Sequence, residues 1–135
     1  MTKELAFEVQ LPVPYDQALE KVTAALKAEG FGILTRIDVR ATLKEKIDAE
    51  FRPYAILGAC NPLLAHRALT RDARAGLMLP CTVTVESTGD HTSVVRIADP
   101  DVFLRVGGFE TDEALMAIAA EARTRLLQAA AALGA

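Results

Sequence analysis

Polar and apolar positions alternate at the start of the chain. Leu5, Phe7, Val9 and Leu11 interleave with Glu4, Ala6, Glu8 and Gln10, the period of a half-buried strand. Pro12 and Pro14 close it, and Pro14 suits the first turn of a helix, where a missing N–H costs nothing. Tyr15, Ala18, Leu19, Val22, Ala25 and Leu26 then recur at helical spacing, and Gly30 stands where a helix stops in the left-handed conformation. Ile33 to Val39 reads as a second strand with Ile33, Thr35, Ile37 and Val39 on one face, and Leu43 with Ile47 marks a short surface helix in a Lys/Glu-rich stretch. Tyr54–Cys60 is a more continuously apolar, buried strand. Asn61 then serves as N-cap and Pro62 as first residue of a helix reaching about Arg71. Cys81, Val83 and Val85 alternate with polar residues, Thr88-Gly89-Asp90 is a turn, and Thr92–Ala98 returns as the second strand of a hairpin closed by Asp99-Pro100. After the Gly107-Gly108 loop, Thr111 caps a long helix from Asp112 to about Leu133, with Leu115, Ile118, Ala119, Ala122 and Leu126 as its buried stripe.

This order predicts one α+β domain over residues 1–135, with a mainly antiparallel sheet, helices packed on one face and a long C-terminal helix. At 135 residues the chain can bury a core without disulfide staples. A net charge of −3 gives no electrostatic footprint for nucleic acid or an anionic membrane surface. The uncharged run Pro53–Ala65 is broken by Asn61-Pro62 and is too short to span a bilayer, while the alanine-rich terminal stretch carries Glu121, Arg123 and Arg125. No basic-then-apolar leader opens the chain, so a reducing cytoplasm is the expectation, with Cys60 and Cys81 as free thiols. The apolar set Thr35, Ile37 and Val39, with the alanine-rich helix, suggests a homodimer.

Glu29-Gly30-Phe31-Gly32, Ile37-Asp38-Val39, Leu57-Gly58-Ala59-Cys60-Asn61-Pro62, Ala65-His66, Leu79-Pro80-Cys81 and Asp99-Pro100 together resemble the uncharacterised bacterial family known as domain of unknown function 302. The Gly-Ala-Cys-Asn-Pro stretch is the most specific of these. The resemblance implies a small, dimeric α+β domain. It brings no reaction to carry over.

The chemistry-bearing side chains gather at the Cys60 strand end. A thiol just before a capped helix is stabilised as thiolate by backbone N–H groups and the helix dipole, although a cysteine finishing a buried strand is also an ordinary small hydrophobe. His66 lies about one turn on, and Cys81 follows Pro80 at the start of the hairpin. Were the three to meet, Cys60, His66 and Cys81 would offer zinc or another thiophilic metal a Cys₂His set, though without standard motif spacing. Arg67, Arg71 and Arg74 read as a solvated helix face, or as an anion site with the helix N-terminus. Asp38 and Asp99, each near a strand end, complete the candidates, Asp99-Pro100 reading first as turn chemistry. The leading expectation is a small-ligand or thiophilic-metal site built on Cys60, Asn61, His66 and Cys81. The rivals are a thiol redox or nucleophilic enzyme using Cys60, and a structural or interaction module with no chemistry at the cysteines.

Overall fold

The computed structural model describes residues 4–134. It is an α+β domain. Its elements run β1 (Ala6–Leu11), α1 (Tyr15–Ala28), β2 (Gly32–Asp38), α2 (Val39–Ile47), β3 (Tyr54–Cys60), α3 (Pro62–Arg71), a 3-10 turn (Ala73–Met78), β4 (Cys81–Gly89), β5 (Thr92–Ala98), α4 (Pro100–Val106) and α5 (Glu113–Leu133). The five strands form one sheet in the order β1-β5-β4-β3-β2, with every neighbouring pair antiparallel.

Strand alternation delivers one apolar face to the helices. Val9 and Leu11 of β1, Ala55, Leu57 and Ala59 of β3, Val83 and Val85 of β4, and Val95 and Ile97 of β5 are all buried there. α1 adds Ala18, Leu19, Val22 and Leu26, and α5 adds Ala122, Leu126, Ala129 and Ala130, so these two helices close the main core. Gly30 ends α1 with a φ of +85°. A smaller apolar cluster joins Ala68 of α3, Ala75, Leu104 of α4 and Phe109 to Leu115 and Ala119 at the start of α5.

Four local readings are corrected. β2 ends at Asp38, whose carboxylate accepts the Ala41 N–H (2.9 Å) and caps α2, so Val39 is helical. A bulge between Ile33 and Thr35 splits the expected apolar set: Ile33 pairs with Ala59 on the core side, while Thr35 and Ile37 pair with Gly58 and Ile56 on the other. Asp112, not Thr111, caps α5, accepting the Leu115 N–H at 3.1 Å. Finally, Asp99-Pro100 begins a helix instead of merely closing the hairpin. Asp99 is its N-cap and Pro100 its first residue.

Candidate functional site

The antiparallel β3–β4 register sets Ala59 opposite Cys81, which brings Cys60, one residue further, diagonally next to Cys81. The chain turns immediately after Cys60. Asn61 accepts the Leu64 N–H on its Oδ1 (3.2 Å), Pro62 occupies the first helical position, and α3 leaves the sheet. Gly58 permits the crowding before this corner: a Cβ there would lie 2.3 Å from Thr35 Oγ1 and 2.7 Å from Pro80 Cγ. Both cysteines are free, and both line one cavity of about 100 Å³ between the sheet end and α3, the 3-10 turn, α4 and α5.

The cavity is apolar. Leu64 and Ala68 of α3, Met78, Phe103 and Leu104, and Ala119 of α5 supply much of the wall, and Asn61 and Thr82 supply polar atoms. No charged side chain is among the described residues that line it. Burial pushes the Cys81 thiol up to about 11, with the neighbouring Cys60 acting in the same direction, so at neutral pH this sulfur is a protonated thiol.

Of the residues singled out from sequence, the fold brings Cys60, Asn61 and Cys81 together. His66 does not join them. α3 buries Leu64 and Ala68, and His66, between those two, faces outward and is exposed. Among the described residues, no group of three or more Cys, His, Asp or Glu is placed to hold a metal ion, so the Cys60–His66–Cys81 set does not assemble. Asp38 lies at the opposite end of β2, where it caps α2. Asp99 is next to the cavity in sequence, since Ala98 and Pro100 line it, but its carboxylate is committed. It is 3% exposed, accepts the Asp101 N–H at 3.0 Å and the Arg123 Nε–H at 3.1 Å, and ties α5 to the start of α4.

The arginines of the α3 region are each matched to a carboxylate. Arg67 pairs with Glu121 (3.2 Å), Arg71 with Asp112 (3.2 Å) and Arg74 with Asp72 (2.7 Å). Hydrogen bonds from the Arg74 side chain and backbone hold the Asp72 carboxyl down to about 2. These pairs answer the anion reading with a solvated face. Sequence reasoning missed Met78, Phe103 and Leu104 in the cavity wall. The available signal was Asp99-Pro100, which repeats the Asn61-Pro62 pairing of an Asx cap with proline at the first helical position.

Fold and cavity together define a small α+β domain with an apolar pocket at one end of an antiparallel sheet. The chain belongs to the family described as "Domain of unknown function DUF302", whose model matches residues 7–133. It is similar to an uncharacterized conserved DUF302 protein from Bacillus stearothermophilus, known from a crystal structure. The two share 29% identity, with 96% of this chain and 98% of that one covered and a TM-score of 0.85. No match to a curated protein was found. No helix among the described residues is long and apolar enough to cross a membrane.

Proposed function

We propose that this protein is a small-molecule-binding domain whose ligand occupies the cavity walled by Cys60, Asn61 and Cys81. One observation carries the reading: a partly enclosed space of about 100 Å³ lies at the sheet end, with an uncharged wall and two free thiols. Packed interiors hold few voids larger than a water molecule, and ligand sites are mostly apolar clefts with a few polar groups. The high Cys81 pKa argues against this sulfur as a nucleophile, because a thiol held protonated near neutral pH attacks poorly. The reading is of a cytoplasmic domain with reduced thiols, working as a homodimer.

Filling the cavity tests the reading. Ala119→Leu places a larger side chain into the space from α5. Wild type and variant are incubated with a small-molecule extract of bacterial cells and compared by native mass spectrometry. A bound species on wild type that is absent from the variant is the expected result. Identical spectra would count against a ligand site in this cavity.

A further inference from the structure

The wall of the cavity restricts what it can hold. Four of its faces are alanines on separate elements: Ala59 of β3, Ala68 of α3, Ala75 of the 3-10 turn and Ala119 of α5. Short side chains facing one another keep the space open where leucines would close it. The polar groups present are few and uncharged. Asn61 is 8% exposed and spends its Oδ1 on the Leu64 N–H, and Cys81 is a protonated thiol. A charged group entering here would lose its hydration and find no counter-charge among the described residues of the wall.

A second feature lies on the outside of the same wall. Leu77 is 83% exposed and Val106 79%, and they belong to the 3-10 turn and α4, whose Met78, Phe103 and Leu104 line the cavity. The two elements meet closely: the Met78 methyl lies 2.6 Å from where a Cβ on Gly107 would stand. On the α3 side, Leu69 (43% exposed) comes within 3.4 Å of the corresponding position on Gly76. These two short helical elements thus carry apolar side chains toward both the cavity and solvent.

We propose that the cavity accepts the neutral hydrocarbon part of a small molecule, a compact aromatic or branched alkyl group of about six or seven carbon atoms. Such a group reaches it between the 3-10 turn and α4, past Leu77 and Val106. This specificity rests on the ligand-binding reading above. Burial of apolar surface drives the association, Met78 adapts its shape to the guest, and the uncharged wall rejects carboxylates and ammonium groups of the same size.

Toluene and its anionic counterpart benzoate are the probes. Each is titrated against wild type, Ala119→Leu, and the double variant Leu77→Ser/Val106→Ser, with affinity read from protein NMR shifts and thermal midpoint and binding rate from NMR exchange line shapes. Toluene is expected to bind wild type at least tenfold more tightly than benzoate and to lose at least tenfold in Ala119→Leu. The double variant, altered only at exposed positions, is expected to keep its thermal midpoint and bind toluene severalfold more slowly. Should Ala119→Leu unfold, Ala68→Val makes the same comparison with a smaller addition. Benzoate binding as tightly as toluene, and lost on filling, would overturn the neutral class while leaving the cavity a binding site. Toluene binding that survives filling would overturn the proposed location. No response to either probe, with extract species retained on the filled variant, would remove both the class and the ligand-binding reading.

Discussion

The Cys81 sulfur sits where a thiolate is poorly hydrated, so its ionisation is linked to unfolding. Its pKa rises from an ordinary 9.0 to about 11, through burial first and the nearby Cys60 second. Between those values the unfolded chain releases the proton and the folded chain keeps it, so stability is full below about 9 and falls as pH rises toward 11. Two units correspond to a loss of up to about 3 kcal/mol. Urea unfolding across this range is expected to show that decline in wild type and a shallower one in Cys81→Ala, where lysines and tyrosines still titrate but this sulfur does not. Parallel curves would show that the Cys81 site does not penalise the thiolate. Alkylation of Cys81 by iodoacetamide should likewise keep climbing past pH 9, where an ordinary thiol levels off, toward a plateau near pH 11, since the thiolate is the reacting species.

Caps set the elements that shape the cavity, and Asn61 is the one that serves both structure and site. Its Oδ1 satisfies the Leu64 N–H at the start of α3, a contact usually worth about 1 kcal/mol. Asn61→Ala is expected to lower stability by about that amount in urea titrations, while Asn61→Ser keeps an acceptor and recovers most of it. An alanine variant as stable as wild type would mean that water replaces the cap. The strong elements were legible in sequence because the local pattern and the packing agree: α1, β3, the β4–β5 hairpin and α5 each carry an apolar face that the core uses. The missing ones are short. α4 buries only Val102 and Leu104, and the 3-10 turn only Ala75, too few positions to establish a period. The site was legible to the same extent. Asn61-Pro62 announced the corner by local grammar, but the meeting of Cys60 with Cys81 depends on a long-range register, and the outward face of His66 depends on which side of α3 is packed. Met78, Phe103 and Leu104 stayed hidden with the elements that carry them.

At the scale of the whole molecule, β2 is one of the two edges of the sheet among the described residues, and the proposed homodimer is tested there. Leu34 is 66% exposed and Ile37 48%, both on an edge strand whose outer backbone groups are unpaired in the sheet. The alanine-rich helix, the other reason to expect a dimer, does not contribute in the same way: Ala129 and Ala130 are spent on the chain's own core. Charge sets the rest of the sheet apart from this edge. Glu86 bridges Arg52 and Arg96, and Arg96 also reaches Glu8, so these charged residues of β1, β4 and β5 are already paired within the chain. An isologous contact along β2, antiparallel to itself, would cover Leu34 and Ile37. Equilibrium sedimentation is expected to give a concentration-dependent dimer for wild type. Leu34→Lys/Ile37→Lys, which places two like charges on each side of that contact, should give a monomer with an unchanged far-UV spectrum. The two substitutions lie on strand positions exposed in the single chain, so loss of dimer would not come from loss of fold. A dimer that persists in the variant would move the interface away from β2, and a wild type that stays monomeric throughout would leave Leu34 and Ile37 as ordinary surface. The cavity lies at the Cys60 end of β3, beside Gly32 at the first residue of β2, so a dimer built on this edge would set two pockets symmetrically about the shared strand pair.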